Sequence, residues 1–183
     1  MIVYKNNLEQ NSDEWLDLRA NYVTGTDAYD LLNGKTIQEI LVEKQTRKNW
    51  GGNYYTRRGH LLEPEAKEIY SEVYAPTKDV GFVINDKYPH CGVSPDGLVG
   101  EEGLVEVKAF NEKRHFDVYK NLDPHIIAQT QYQLFVTERE WVDLVLYNPD
   151  ISEITQTFLV RRLVPIPSIQ NKLKDIFTKV DEN

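Results

Sequence analysis

The segment Val93-Ser94-Pro95-Asp96-Gly97, followed closely by Leu104-Val105-Glu106-Val107-Lys108, constrains this chain more than any other. Pro-Asp-Gly favours a turn, and the apolar residues around Glu106 favour a strand. Side chains alternate across a strand, so Glu106 and Lys108 share one face and Val107 points to the other, into the core. If the intervening residues fold back as a hairpin, Asp96 approaches Glu106, and two carboxylates meet one amine on a sheet. A hard cation such as Mg²⁺ is usually held by one or two carboxylates with phosphate and water completing its shell. Asp96 and Glu106 are therefore candidate metal ligands. Lys108 is a candidate to position or deprotonate an attacking water, or to offset charge building on a phosphate. A structural reading competes with this one, because Asp-Gly is a common turn and Glu-x-Lys a common exposed pair of little energetic weight. Cys91-Gly92-Val93 and Leu104-Val105 are small or apolar, which places the charges inside core strands, where they need partners or a metal.

The rest of the chain reads as one α/β unit without internal repeats or low-complexity segments. Ser12 can cap a helix reaching Tyr22, with Trp15, Leu16 and Leu18 on its apolar side. Thr24 with Asp27 resembles a capping box for a second helix ending near Asn33-Gly34, and Thr36 with Glu39 repeats the signal for a third that ends near Gln45. A longer helix is predicted from Gly59 to about Val73, with Leu62, Ala66, Ile69 and Tyr70 on one side; its Glu63 precedes Lys67 by one turn, as in a surface ion pair. Strands are predicted at Val80 to Ile84, Cys91 to Ser94, Leu98-Val99 and Leu104 to Phe110. Pro124 suits the first turn of a helix running to about Phe135. Strands over Trp141 to Tyr147 and Thr155 to Leu163 precede Pro165, Pro167 and a closing amphipathic helix from Ile169 to Val180. The expected architecture is a mixed central sheet flanked by helices.

Length and composition limit the function classes. At 183 residues the chain fits a single domain, 1–183, with a substantial core. No apolar run of membrane-spanning length occurs, and Met1-Ile2-Val3-Tyr4-Lys5-Asn6 lacks the apolar region of a secretory signal. The single Cys91 excludes an internal disulfide and an iron–sulfur cluster held by four thiolates, so a reducing cytoplasm is the expected setting. The net charge of −8 opposes indiscriminate adhesion to nucleic acid. Its distribution is uneven, however. Lys44, Arg47, Lys48, Arg57 and Arg58 lie in a stretch free of acidic residues, interleaved with Trp50, Tyr54 and Tyr55 around Gly51-Gly52. Such a stretch suits a loop that tracks a nucleic-acid strand and stacks on bases, or equally a solvated loop anchored by a buried Trp. Lys108, Lys113, Arg114 and His115 form a second basic group.

Four blocks, in order, resemble the phage-type alkaline exonucleases, the lambda exonuclease and YqaJ-like viral recombinase group of the PD-(D/E)XK nuclease superfamily. They are Glu14-Trp15 with Leu18-Arg19 and Val23-Thr24-Gly25-Thr26; Gly59-His60-Leu61-Leu62-Glu63; Ser94-Pro95-Asp96-Gly97 with Glu106-Val107-Lys108; and Ala128-Gln129-Thr130-Gln131-Tyr132 with Val136-Thr137. Together they span roughly residues 9–150.

The resemblance implies a restriction-endonuclease-like core and a Mg²⁺- or Mn²⁺-dependent deoxyribonuclease using one or two ions. By it, Asp96, Glu106, the Val107 carbonyl and the helix-borne Glu63 hold metal, Lys108 is the catalytic lysine, and Gln129 orients the lysine or the water. Arg19 falls where relatives grip a terminal 5′-phosphate, with Thr26 and Ser94 as hydroxyl donors; relatives carry serine where this chain has Thr26, which keeps the hydroxyl. Without the resemblance, Arg19 and Gln129 would read as ordinary helix-surface residues. The implied activity is 5′-to-3′ exonuclease action on double-stranded DNA ends in phage recombination, in the cytoplasm of a bacterial host. A structure-specific endonuclease on the same core and a non-catalytic DNA-binding recombination protein are the alternatives. A single-strand annealing protein is the partner the resemblance brings with it, as is a ring-forming trimer. The segment after about residue 150 departs from the family pattern, which puts the trimer contacts in doubt.

Overall fold

The computed structural model describes residues 1–46 and 54–179. In chain order the strands are Ile2–Lys5 (β1), Thr77–Lys78 (β2), Phe82–Asn85 (β3), Gly92–Val93 (β4), Gly97–Val99 (β5), Gly103–Lys108 (β6), Trp141–Tyr147 (β7) and Phe158–Leu163 (β8). The helices are Asp13–Arg19 (α1), Ala28–Leu32 (α2), Ile37–Thr46 (α3), Tyr54–Val73 (α4), Glu112–Lys120 (α5), Pro124–Thr137 (α6) and Pro167–Thr178 (α7), with short 3₁₀ turns at Gly25–Asp27 and Ile154–Gln156.

Local signals fix most of the helix starts. The Ser12 hydroxyl accepts the Trp15 amide at the head of α1. Thr24 and Asp27 make a reciprocal capping box, and Thr36 with Glu39 caps α3 in the same way. Asp123 accepts the His125 amide while Pro124 occupies the first turn of α6, and Glu138 ends that helix in the left-handed conformation (φ 54°).

The five-stranded sheet has the order β2-β5-β6-β7-β8. Only β6 and β7 in it are parallel. A parallel pair needs a crossover, and α5 and α6 supply it. The crossover lays α6 over one face of β6, where Leu104 joins Ala128, Tyr132, Leu134 and Phe135 in the largest core cluster, with Leu173 and Phe177 of α7 behind them. On the other face Val105 and Val107 pack with Ala66 and Tyr70 of α4 and Val145 of β7. Being covered on both sides, β6 is buried from Gly103 to Val107.

The structure departs from the sequence expectation at identifiable places. A second, antiparallel sheet, β1-β3-β4, was not expected, nor were β1, β2 and α5. The two strands are short, and α5 buries only His115 and Val118, too few residues to register as an apolar stripe. Helix α4 begins at Tyr54 rather than Gly59, because its apolar periodicity starts only in its second turn. Among the basic and aromatic residues singled out above, Arg47, Lys48, Trp50, Gly51 and Gly52 lie outside the described residues, as does the Val180 end of the last helix.

Gly81 holds the small sheet against the first helix. A Cβ there would stand 1.9 Å from the Leu8 carbonyl oxygen. Its own carbonyl accepts both the Trp15 indole N–H (3.0 Å) and the Ser94 hydroxyl (2.9 Å). Gly81→Ala is expected to lower the unfolding free energy by about 2 kcal/mol or more, since backbone rather than a flexible side chain must yield; urea denaturation followed by circular dichroism checks this.

Candidate active site

The register of one hairpin assembles the acidic centre. Strands β5 and β6 pair Gly97 with Val105, Leu98 with Leu104 and Val99 with Gly103. Extending that register by one residue sets Asp96 opposite Glu106. Asp96 Oδ2 accepts the Val107 amide at 2.7 Å, so a side chain closes the ladder where the strand pairing stops. Gly97 permits the approach, because a Cβ there would lie 2.8 Å from the Val105 side chain.

Glu106 is 2% exposed, and a carboxylate so buried needs donors. It has three. Lys108 Nζ and Gln129 Nε2 both donate to Oε1 at 2.6 Å, and Gln133 Nε2 donates to Oε2 at 2.6 Å. Gln129 and Gln133 are one turn apart on α6 and so project from the same side of it. The pairing of Gln133 with Glu106 escaped the sequence reading; the Gln-x-x-x-Gln spacing was the only signal that could have shown it. Its Oε1 is buried without a partner.

The charges feel one another. Burial pushes the Asp96 carboxyl well above its ordinary range, and Glu106 and Glu63 push it further, while Lys108 and the Val107 amide pull it back. Glu63, on α4, is also raised, first by burial and against the pull of Lys67, with Glu106 adding and His60 and Lys108 opposing. The expected surface pair to Lys67 is formed at 3.8 Å, but Lys67 sits closer to Asp79, at 2.6 Å. Burial alone would lower the Lys108 amine; Glu106 and Asp96 outweigh it and hold the amine protonated. Lys108 is therefore a hydrogen-bond donor and a local positive charge.

Three acids beside a single ammonium leave an excess of negative charge that a divalent cation would relieve, and carboxylate oxygens suit a hard ion. The donor set thus fits Mg²⁺ or Mn²⁺. Among the described residues no three His, Cys, Asp or Glu side chains stand close enough to cage an ion as they are, and the amine and the amides occupy the Glu106 oxygens.

A second cluster lies where α1 ends. Arg19 Nη2 reaches Thr26 Oγ1 at 2.9 Å and Thr24 Oγ1 at 3.5 Å. The guanidinium rests over the Trp15 ring, 4.7 Å from its centroid, and its Nε is buried without a partner. Burial lowers the Arg19 pKa, with Asp27 and Glu106 opposing. Ser94, expected to join Arg19 and Thr26, accepts the Trp15 indole N–H (2.9 Å) and donates to the Gly81 carbonyl, beside the ring on which Arg19 rests. Gly25 links this cluster to the acidic centre: a Cβ there would meet Gln129 Cγ at 3.0 Å. Lys44 and Asp27 also belong to the cluster, and sequence reasoning assigned neither to it.

The basic groups divide. Arg58 is tied to the Phe110 carbonyl, Asn148 and Asp150, and so fastens α4 to the loops after β6 and β7. His115 is fully buried, bonds the Gln156 carbonyl, and is lowered by burial, which removes it from the expected surface patch. Lys113 and Arg114 are exposed, and Arg114 stacks on Phe110.

An alkaline exonuclease from Laribacter hongkongensis, LHK-Exo, shares this architecture at a TM-score of 0.77 and 25% identity over 93% of both chains. The same enzyme in complex with dAMP superposes at 0.75, with 24% identity over 93% of this chain and 95% of that one. A phage-related exonuclease from Haemophilus somnus 129PT shares the fold at a TM-score of 0.56, with 14% identity over 95% of this chain and 86% of that one. No curated protein sequence matches significantly. The fold is a mixed α/β arrangement of the PD-(D/E)XK type. The family model of the YqaJ-like viral recombinase domain matches residues 14–140, more than two thirds of the sequence, and the chain belongs to that family.

Proposed function

We propose that this chain is a metal-dependent deoxyribonuclease of phage-type recombination that degrades double-stranded DNA from its ends in the 5′-to-3′ direction, residues 1–183 acting as one nuclease domain. The observation that carries the reading is the convergence of Lys108, Gln129 and Gln133 on the buried Glu106, with Asp96 bonded to the adjoining Val107 amide. Family membership and the exonuclease relatives support a nuclease acting on DNA.

Asp96, Glu106, Glu63 and the Val107 carbonyl would hold one or two Mg²⁺ or Mn²⁺ ions, which supply positive charge against the scissile phosphate and acidify a bound water. The chain's own groups do the rest. Lys108, kept as an ammonium by its acidic neighbours, holds the attacking water or neutralises charge gathering on the phosphate oxygens. Gln129 sets the orientation of Glu106 and Lys108 by sharing Oε1 with the amine. Gln133 fixes the second oxygen, so the carboxylate plane cannot rotate. The water oxygen bonds to phosphorus as the P–O3′ bond breaks, the water gives up a proton and the leaving oxygen takes one from solvent, so the products are a 3′-hydroxyl and a 5′-phosphate.

End selection is assigned to Arg19. A guanidinium held over Trp15 with one buried N–H unspent suits the oxygens of a terminal phosphate, and Thr26 adds a hydroxyl. Binding energy gained at that terminal group sets the register of the scissile bond.

Lys108→Ala is expected to slow hydrolysis of a labelled duplex in Mg²⁺ by roughly 10³-fold while leaving duplex binding largely intact; equal loss of both would argue against a catalytic lysine. Arg19→Ala should slow degradation of 5′-phosphorylated ends by about tenfold or more and harm 5′-hydroxyl ends far less, as read from a linear duplex labelled at each end in turn. Closed circular duplex should survive conditions that consume its linearised form, and nicking of the circle would favour the endonuclease alternative.

A further inference from the structure

Lys44 takes no part in the reading above, yet it points into the same cluster as Arg19. It leaves the last turn of α3, and its amine lies 3.0 Å from Thr24 Oγ1 and 2.5 Å from Asp27 Oδ2. Its side chain is 17% exposed and that of Asp27 20%. Arg19 arrives from α1 at the same Thr24 hydroxyl. Two cations from two helices therefore converge on one buried threonine, with a single carboxylate between them.

The charges do not balance. Burial lowers the Lys44 pKa, Asp27 raises it and Arg19 lowers it again, as expected of two cations competing for one anion. Asp27 Oδ2 already accepts the Thr24 amide and hydroxyl at 2.8 Å, besides Lys44. Arg19 keeps one buried N–H without an acceptor. The cluster thus carries one positive charge more than its own carboxylate neutralises, and it holds an unused donor. A phosphodiester bears one negative charge, whereas a phosphate monoester bears nearly two at neutral pH. Arg19 alone matches the first; Arg19 with Lys44 reaches the second only once Lys44 has left Asp27, since with that ion pair intact the cluster nets a single positive charge.

We propose that Lys44 is the second cationic arm of the terminal-phosphate site, held in reserve by Asp27 and released to a phosphate monoester, so that this residue sets the preference for a phosphorylated 5′ end. The proposal rests on the end-capture reading given for Arg19. Asp27 is then an internal anion that the incoming phosphate displaces from Lys44, and the two residues act with opposite sign.

The test measures binding of a short duplex bearing either a 5′-phosphate or a 5′-hydroxyl, by fluorescence anisotropy in EDTA so that nothing is cut, with inorganic phosphate as competitor. Lys44→Met is expected to reduce the phosphate-to-hydroxyl affinity ratio about tenfold or more, Lys44→Arg to keep most of it, and Asp27→Asn to raise affinity for the 5′-phosphorylated duplex. Inorganic phosphate should compete better against Asp27→Asn than against Lys44→Met. An unchanged ratio in Lys44→Met, with the ratio collapsed in Arg19→Ala, overturns the role of Lys44 alone. An unchanged ratio in Arg19→Ala overturns end capture itself. A parallel loss in Asp27→Asn and Lys44→Met would show a structural clamp and also overturn the proposal. If Lys44→Met does not fold, Lys44→Gln, which keeps a donor to Thr24 without the charge, serves the same comparison.

Discussion

The buried carboxylate of Glu106 is the interaction on which the rest of the site depends. A group 2% exposed in the middle of a sheet must be supplied with donors by whatever packs on it. The crossover from β6 to the parallel β7 lays α6 across that face, and α6 supplies two amides one turn apart. Lys108 supplies the third donor from the same strand. The sheet order, the handing over of the chain to α6 and the orientation of the amine thus answer to one electrostatic requirement. The acids are close enough to raise one another, while protein donors occupy both oxygens of the central carboxylate.

The two clusters are joined by close packing as well as by the pull of Glu106 on Arg19. Gly25, at the 3₁₀ turn that carries Thr24 and Thr26, lets that turn press against Gln129, whose amide holds Glu106. From the other side, Ser94 and the Gly81 carbonyl hold the Trp15 ring on which Arg19 lies, and Ser94 is two residues before Asp96. Arg19 and Glu106 are thereby held at a fixed separation by a glycine contact and an indole. That rigidity is what register-setting by remote binding energy requires.

The net charge of −8 does not conflict with a DNA partner, because the cations of the Arg19 and Lys44 cluster are local and partly buried. Buried cations beside an acid cost desolvation, and Lys44 and Arg19 are both lowered by it. Such groups gain most from an anion that enters the same low-dielectric space, which is the condition for recognising a terminal charge rather than a long stretch of backbone. Arg58 and His115, counted as basic in the sequence, are spent on loop carbonyls, the Asn148 carboxamide and the Asp150 carboxylate.

Short-range rules carried much of the structure from the sequence. The capping signals at Ser12, Thr24 and Thr36, and Pro124 in the first turn of α6, fixed helix starts, since such signals are satisfied within a few residues. Alternation fixed β7 from Trp141 to Tyr147 and put Glu106 and Lys108 on one face. What the sequence did not contain were partnerships between distant segments. Gln133 with Glu106, Lys44 with Asp27 and Thr24, and Trp15 with Ser94 are separated by up to 79 residues, and beyond the spacing of Gln129 and Gln133 no local pattern hints at them. The second sheet and α5 were equally silent, because their few buried residues become apolar contacts only once neighbouring elements cover them. Which residues carry charge, cap helices and alternate was settled by the chain itself; which of those charges are buried together, and so which can act on a phosphate, was decided only when the sheet, α3 and α6 closed around them.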